Sequence, residues 1–310
     1  MSLFKTIKGV LAVLLILQAV AVHAQADSVA VQRAKWASRK IAKGVKLKHY
    51  WFDQSLFGAN QNITLLEVKM GGNNLVDVVA DPSVLKLTSR FGQEAKALAG
   101  VNGTFFNMKN GGSSYYVRVN GRSADSSWVV RKERNFRERC ALVCHGNRLT
   151  IEAWDGSADW EKQIKGEDVM AGGPLLMLRG QVVQNDTVKF NTDRHPRTAV
   201  AVKGNTLWLI TVDGRNNKAA GMSIPELSSF VKWLGADDAM NLDGGGSTTM
   251  WVTGFPDNGV VNHPSDNQKM MTSAKYKPGM DLDNLAPDME KWDHGGERPV
   301  ANVLLISRKR

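Results

Sequence analysis

The alternation of apolar and polar residues predicts strands through the first third of the chain. Three runs of alternating apolar residues indicate strands, at 45–52, 63–70 and 75–80. A helical repeat follows from Asp81 to Leu98, and a short strand then runs through Val101. The basic stretch 31–43 before the first strand predicts a helix or a loose segment.

The rest of the chain reads as hairpins around one clear helix. Turn residues predict hairpins over 175–183 and 198–212, and 239–242 reads as a short buried strand. Ser223 is a helix cap with Pro225 in the first turn, and Gly235 ends that helix. Because we find no internal repeat and no linker, we expect one α+β domain. It should hold a mixed, strand-rich twisted sheet and a few packed helices.

The first residues have the pattern of a signal peptide. Lys5 and Lys8 precede an apolar run from Val10 to Val22, and Val22-His23-Ala24 offers small residues for cleavage. A membrane anchor is the alternative, but the run is too short to cross a hydrocarbon core of about 30 Å as a helix. We expect a signal peptide at 1–24, a helical or loose segment at 25–44 and a catalytic domain at 45–310. The product should be periplasmic or extracellular, without stable membrane insertion.

The two cysteines, Cys140 and Cys144, lie on one predicted strand before a turn at Gly146-Asn147. Residues four apart on a strand are about 13 Å apart, whereas a disulfide needs Cα atoms within about 7 Å. We therefore expect two free, buried thiols. A zinc half-site is the alternative, but the sequence offers no second half.

The charge of the chain suits an anionic partner. The formal net charge is +10, and loss of Lys5 and Lys8 leaves +8. The basic residues are scattered and form no known nucleic-acid module, so we expect no nucleic-acid partner. The charge is compatible with a phosphorylated carbohydrate as the substrate.

The densest candidate for chemistry is Asn241-Leu-Asp-Gly-Gly-Gly-Ser247, directly after a predicted strand. Glycines let the backbone approach a ligand closely, and consecutive amides in such a loop can bind an anion. A tight turn between strands is the alternative. It explains the glycines but leaves the adjacent Asp243 unexplained.

Four weaker polar clusters also stand at strand ends. Each alone has an ordinary reading as a turn, a surface loop or a solvated ion pair. Together they suggest one site built by convergence on a rigid sheet. They contain Asn102, the pair His195 and Arg197, the pair Asp213 and Arg215, and the pair Glu297 and Arg298.

These motifs resemble the phosphodiester glycosidase family over roughly residues 45–307. The resemblance rests on Asn102-Gly-Thr-Phe-Phe106, Gly172-Gly-Pro174, His195-Pro-Arg-Thr198, Asp213-Gly-Arg215, Gly221-Met222, Glu226-Leu227 and Asn241-Leu-Asp-Gly-Gly-Gly-Ser247. It implies cleavage of a sugar from a phosphodiester, with release of a phosphomonoester. One departure is an insertion at about 267–293, between Asn262-His-Pro-Ser265 and Glu297-Arg298. The insertion leaves the identity of the sugar open.

The family reading assigns a role to each cluster. Asp213 and Asp243 would act at the anomeric carbon, as nucleophile or as base for water. Arg197, with Arg215 or Arg298, would stabilise the departing phosphate, helped by the Gly244 and Gly245 amides and with His195 nearby in the substrate site. Asn102, Asn241 and Ser247 would hold sugar hydroxyls, and Glu297 would orient an arginine or act as an acid.

Two other functions remain open from the sequence. Asp213, Asp243 and Asn241 could be oxygen ligands of calcium or magnesium in a metal-dependent phosphodiesterase. The chain could also bind anionic envelope glycans without turnover. No cofactor follows from the motifs themselves.

Overall fold

The computed structural model describes residues 24–124, 133–256, 258–267 and 292–309. The predicted signal peptide, apart from Ala24, and nearly all of the 267–293 insertion lie outside the described residues. Within the described residues, no helix is long and apolar enough to cross a membrane.

The described residues form many strands and few helices. The strands are β1 (Ala37–Ala42), β2 (Val45–Leu56), β3 (Ala59–Lys69), β4 (Asn74–Ala80), β5 (Ala99–Asn102), β6 (Val117–Val119), β7 (Arg122–Ser123), β8 (Cys140–His145), β9 (Arg148–Ala153), β10 (Asp168–Gly172), β11 (Leu175–Leu178), β12 (Gln181–Val182), β13 (Arg197–Lys203), β14 (Thr206–Val212), β15 (Asp238–Asn241), β16 (Met250–Val252) and β17 (Asn302–Arg308). The helices are α1 (24–33), α2 (Thr88–Glu94), α3 (Trp160–Gln163), α4 (Lys189–Thr192) and α5 (Ile224–Trp233). Short 3₁₀ turns lie at Phe136–Glu138, Gly245–Ser247 and Ser265–Asn267.

The strands are arranged in three sheets. An eight-stranded sheet has the order β1-β2-β3-β14-β13-β15-β11-β12, a five-stranded sheet β7-β6-β10-β8-β9, and a four-stranded sheet β16-β5-β17-β4. The α+β class and the single domain are confirmed. Instead of one mixed sheet, the described pairs form three antiparallel sheets, because many consecutive strands are joined by short hairpin turns.

The core lies on both faces of the eight-stranded sheet. On one face, Leu66 and Val200 pack against the two smaller sheets. On the other face, α5 buries Leu227 and Phe230. Apolar burial on both faces holds the large sheet rigid, so the loops at its strand ends are well fixed in position.

The predicted helix after Ser223 and both predicted hairpins are confirmed. Ser223 and Glu226 form a reciprocal capping box, Pro225 lies in the first turn, and Gly235 follows the helix with a φ of 84°. The hairpins β11–β12 and β13–β14 have the predicted turns.

Two predicted elements are wrong in part. Residues 81–87 are not helical because the Lys86 amide and carbonyl pair with Val300, which holds this segment extended. The Asp81 carboxylate accepts hydrogen bonds from the Ser83 and Val84 amides in a local turn. The stretch 31–43 is not helical throughout, because β1 forms within it. β1 is an exposed edge strand rich in charge, so it lacks the apolar alternation of a buried strand.

Both cysteines are free and buried, as expected. They lie on β8, and burial raises the pKa of each thiol far above its usual range. The Cys140 thiol donates to the Gly172 carbonyl at 3.2 Å. These thiols are inert parts of the core.

Candidate active site

The glycine-rich loop follows β15 and is held by backbone and side-chain hydrogen bonds. The Asp243 amide donates to the Gly103 carbonyl at 3.0 Å, and the Asn102 side chain donates to the Asp243 carbonyl at 2.8 Å. The Gly244 amide donates to the Asp243 carboxylate at 2.9 Å. The loop thus points a carboxylate and a short run of glycines away from a rigid sheet.

Two positions in this loop require glycine because arginine side chains lie where a Cβ would be. Gly245 has a φ of 62°, and the Arg215 guanidinium lies 3.1 Å from the position that a Cβ would take. A Cβ on Gly246 would overlap both the Arg298 guanidinium and the Asp266 carboxylate. Only glycine lets two arginines approach the loop backbone so closely.

A cleft of about 280 Å³ opens beside this loop. Among the described residues, Asp243 supplies the one carboxylate of its lining, together with four arginines and one histidine. The lining residues are Phe105, Arg137, Phe190, His195, Arg197, Arg215, Asp243, Gly244, Gly245, Gly246 and Arg298. Such an arginine cluster is the arrangement that binds phosphate oxygens.

Arg197 is buried at the base of the cleft, with only 1% of its surface exposed. Its Nε donates to the Met222 carbonyl at 2.8 Å, and its Nη2 donates to the Phe190 and Asp193 carbonyls at 2.6 and 3.1 Å. Burial, with Arg215 nearby, lowers the pKa of Arg197 to about 9, so the guanidinium remains charged at neutral pH. Arg197 therefore places a fixed positive charge and also ties the 190–193 segment and the Met222 segment to the start of β13.

Aromatic rings hold a second arginine that sequence reasoning missed. The Arg137 guanidinium lies 4.3 Å from the centre of the Phe190 ring and 5.2 Å from that of Phe105. Arg137 follows Asn135, which caps a 3₁₀ turn. In the sequence Arg137 is one arginine among several, and nothing in its local pattern singles it out.

Arg215 and Arg298 are the other two of the four arginines that line the cleft. Arg215 has a φ of 60°, a costly conformation for a residue with a side chain. Arg298 is held by a bidentate pair with Asp266, at 2.8 and 3.1 Å. The Asp266 pair fixes the Arg298 guanidinium beside the glycine loop, and the Arg215 guanidinium lies against Gly245.

The electrostatics of Asp243 follow from its place in this cleft. Burial raises the pKa of the Asp243 carboxyl, while the Ser247 hydroxyl, the Gly244 amide and the Arg298 and Arg137 charges oppose the rise. The result is a carboxylate that is desolvated and more basic than a surface aspartate.

His195 lies between this cleft and a second chamber of about 520 Å³, which also has Arg194 and Arg215 in its lining. Burial, Arg197 and Arg215 lower the pKa of His195 to about 4. The imidazole is therefore neutral at physiological pH and can accept or donate a hydrogen bond.

The structure does not bring Asp213 into the cleft. The residue is 1% exposed, and its oxygens accept hydrogen bonds from Asn62, Asn262 and the His263 amide at 2.7, 3.0 and 3.1 Å. Burial raises the pKa of Asp213 to about 6 in spite of these donors. With its acceptors occupied in the interior, Asp213 is placed to orient other groups rather than to meet a substrate.

Glu297 is likewise occupied elsewhere. Its carboxylate accepts from the Ser89 hydroxyl and from the Ser89 amide at 3.1 Å, in the first turn of α2. Asn258 donates to it at 3.3 Å. Glu297 thus caps a helix N-terminus, where a carboxylate is favoured, and the predicted acid role has no geometric support.

Three residues expected to hold sugar hydroxyls are fully buried: Asn102, Asn241 and Ser247. The Asn102 oxygen accepts from the Thr198 hydroxyl at 2.7 Å and from the Thr249 amide at 3.1 Å. Asn241 donates to the Gly173 carbonyl at 3.1 Å. Asn102 and Asn241 bind protein groups, and Ser247 lies beside Asp243.

The residues considered as calcium or magnesium ligands do not fit such an ion. The oxygens of Asp213 accept three N–H donors, and Asn241 is turned into the protein. Asp243 shares its cleft with four arginines, which repel a further cation. In the part of the chain that the structure describes, no three His, Cys, Asp or Glu side chains are grouped to hold a metal ion.

Known proteins match both the sequence and the fold. The family model of the phosphodiester glycosidases matches residues 95–307. The Mus musculus N-acetylglucosamine-1-phosphodiester alpha-N-acetylglucosaminidase is 26% identical over 175 residues, which make up 54% of this chain and 33% of that protein. The chain therefore aligns with about a third of the length of this relative.

Solved structures share the fold at low sequence identity. The zebrafish N-acetylglucosamine-1-phosphodiester alpha-N-acetylglucosaminidase catalytic domain, auto-inhibited by its pro-peptide, matches with a TM-score of 0.61 and 18% identity over 89% of this chain and 88% of that chain. A hypothetical protein from Synechocystis matches with a TM-score of 0.54 and 14% identity, over 87% of this chain and 63% of that chain. A putative exported protein from Burkholderia pseudomallei matches with a TM-score of 0.52 and 18% identity, over 81% of this chain and 75% of that chain.

Because the family model matches more than half of the chain, the chain belongs to the phosphodiester glycosidase family. The family expected from the sequence motifs is thereby confirmed. With it the enzyme class is confirmed, a hydrolase of the phosphodiester glycosidase type.

Proposed function

We propose that the chain hydrolyses the glycosidic bond of a sugar-1-phosphodiester and releases free sugar and a phosphomonoester. The observation that carries this proposal is the lining of the cleft, where Asp243 is the one carboxylate among the described residues and four arginines surround it. The reaction creates negative charge on the departing phosphate and positive charge at the anomeric carbon. The cleft offers groups for both charges.

The arginines account for the leaving group. A phosphomonoester departs as a stable anion, so it needs charge stabilisation more than it needs an acid. Arg137, Arg197, Arg215 and Arg298 supply that stabilisation. This explains why Glu297 is not required as an acid.

Asp243 acts at the anomeric carbon, as nucleophile or as base for water. Its pKa is raised by burial, which increases the basicity of the carboxylate. The anomer of the product distinguishes the two roles, since a nucleophile gives retention and a base gives inversion. The rings of Phe105 and Phe190 add an apolar wall on which a sugar ring can pack.

The test is product analysis by ³¹P and ¹H NMR on a panel of sugar-1-phosphodiesters, with and without chelator. The panel includes the N-acetylglucosamine diester named for the mouse relative. We expect a phosphomonoester and a free sugar at an unchanged rate in chelator. Release of a sugar 1-phosphate, or loss of activity in chelator, would support the metal-dependent phosphodiesterase instead. Binding without turnover across the panel would support a glycan-binding protein.

We also propose that the chain is exported, on the strength of the N-terminal sequence pattern. N-terminal sequencing of the native protein should begin at or near Gln25. Exported material that begins at Met1 or Ser2 would contradict this proposal.

A further inference from the structure

We infer that Asp213 is a positioning residue which, through Asn62 and Asn262, fixes the loop that carries Asp243 relative to the loop that carries Arg215. The inference rests on the function proposed above, because both loops line the same cleft. It gives a role to a buried carboxylate that the chemistry does not use.

Asp213 first binds the strand beside it. Its amide donates to the Asn62 carbonyl at 3.0 Å, and its carboxylate accepts from the Asn62 side chain at 2.7 Å. The Asn62 oxygen lies 2.7 Å from His49 Nε2. Arg215 stands two residues beyond Asp213 in a left-handed conformation. Such a conformation persists only where surrounding contacts enforce it, and the Asp213 contacts lie directly before it.

Asp213 also binds the glycine loop through Asn262. The Asn262 Nδ2 donates to the Asp213 carboxylate and to the Thr248 carbonyl, each at 3.0 Å. The Asn262 oxygen accepts from the Met250 amide at 2.8 Å. Asn262 therefore connects Asp213 to the residues that directly follow Gly244–Ser247.

Asn102 is a second anchor of the glycine loop and bridges its two ends. Asn102 donates to the Asp243 carbonyl and accepts from the Thr249 amide. The loop thus has two buried asparagine anchors, and of these two Asn262 is the one bonded to Asp213. Removing the Asn262 bond to Asp213 should disturb the loop of Asp243 and leave Asn102 in place.

The charge of Asp213 suits this role. A carboxylate accepts three hydrogen bonds here, and bonds to a charged acceptor are stronger than bonds between neutral groups. In the variant Asp213→Asn the side-chain amide of Asn62 can rotate by half a turn. Its oxygen then accepts from the new asparagine at position 213, and its nitrogen donates to His49 Nε2, which can accept a hydrogen bond. The variant should therefore fold, but with weaker bonds to both loops.

The test measures kcat and KM for a cleaved phosphodiester, Kd for inorganic phosphate by calorimetry, and Tm. Asn262→Ala should lower kcat about tenfold or more and leave the phosphate Kd within about twofold, because the arginine loop keeps its anchor. Asp213→Asn should lower kcat and also raise the phosphate Kd, each about tenfold. Asp168→Asn is the matched control, because Asp168 is a buried carboxylate of the five-stranded sheet that accepts from the Asn120 and Val78 amides. It should leave both quantities unchanged.

Full kcat per folded molecule in Asn262→Ala and Asp213→Asn would overturn the inference and make these residues merely structural. Equal effects of Asp168→Asn on kcat would overturn it as well. If the wild type cleaves no phosphodiester, the proposed function fails, and the phosphate Kd of Asp213→Asn still decides the positioning role. If Asp213→Asn does not fold, Asn262→Ala decides the positioning role. A fall in kcat of about tenfold with an unchanged phosphate Kd would support it, and an unchanged kcat would overturn it.

Discussion

Asp213 and Asp243 stand in nearly identical sequence settings and have different environments. Each follows a buried apolar strand and each precedes a glycine. The segment that holds Asn262 and His263 covers Asp213 and supplies donors to it. Asp243 instead borders a cleft with four arginines. A strand-end Asp-Gly pair thus marks a rigid position for a carboxylate, and the segment packed across that position decides which groups the carboxylate meets.

Neutralising each aspartate in turn should give the largest difference between the two sites. Asp243→Asn should lower kcat about 10³-fold or more, because it removes the group that we propose to act at the anomeric carbon. Asp213→Asn should cost only about tenfold. Asp238→Asn, at the other end of β15, is the control and should keep full activity. Equal losses in the two variants would remove the distinction between a reacting and a positioning carboxylate.

Gly246→Ala tests whether the loop backbone must admit the arginines. The added methyl would overlap the Arg298 guanidinium and its partner Asp266. A displaced charge should lower kcat/KM up to about 100-fold. Gly146→Ala, at a hairpin turn with a φ of 60° and open space around it, is the control. It should reduce stability by about 1 kcal/mol and leave activity unchanged. Normal kcat/KM in Gly246→Ala would show that the close approach is not needed.

Arg197→Lys tests whether stabilisation of the leaving group can be distinguished from the reaction at the anomeric carbon. Lysine keeps the charge but cannot reach the Met222, Phe190 and Asp193 carbonyls as a fork. We expect a loss of about 1–3 kcal/mol, or roughly tenfold to a hundredfold in kcat/KM. The loss should shrink for substrates with more acidic leaving groups, whereas the loss in Asp243→Asn should not. A constant Arg197 effect across leaving groups would argue against charge stabilisation of the phosphate.

The last prediction concerns the stability of the folded protein as a function of pH, and we expect it to affect activity least. Burial raises the pKa of Asp213 in the folded protein to about 6, from an ordinary value of 3.8. Because the folded state binds this proton more tightly, the contribution of Asp213 to stability is largest below the unfolded pKa and is lost as pH rises through about 6. The wild type should therefore gain up to about 3 kcal/mol relative to Asp213→Asn as pH falls from 7 to 4. Chemical denaturation of both proteins across this range measures the gain, and a constant difference would contradict it.

Local patterns predicted those elements that bury one clear face. The strand over 45–52 buries Val45 and Leu47 on one side, and the strand over 63–70 is apolar enough to be recognised because both of its faces pack in the core. Ser223 with Pro225 defines a helix start by its own hydrogen bonds. β1 could not be found because an exposed edge strand needs no apolar alternation. The helix predicted from Asp81 begins only at Thr88, because Lys86 pairs with the distant Val300, a contact that local sequence does not show.

The sequence predicted where the candidate site lies, and the structure places some of the predicted residues away from it. Motifs at strand ends brought His195, Arg197, Arg215 and Asp243 into one cleft, since strand ends meet at one edge of a sheet. The side chains of Asn102 and Glu297 turn to protein partners, and a sequence does not show which way a polar side chain turns. Arg137 comes from a separate segment and is identified only by the aromatic rings that hold it.

The most direct measurement is hydrolysis of a sugar-1-phosphodiester in H₂¹⁸O, with both products weighed by mass spectrometry. If Asp243 directs attack to the anomeric carbon while the arginines hold the departing phosphate, the bond between carbon and oxygen breaks. We therefore expect ¹⁸O in the free sugar and none in the phosphomonoester. ¹⁸O in the phosphomonoester would show attack at phosphorus, which is incompatible with the roles proposed for Asp243 and the arginines.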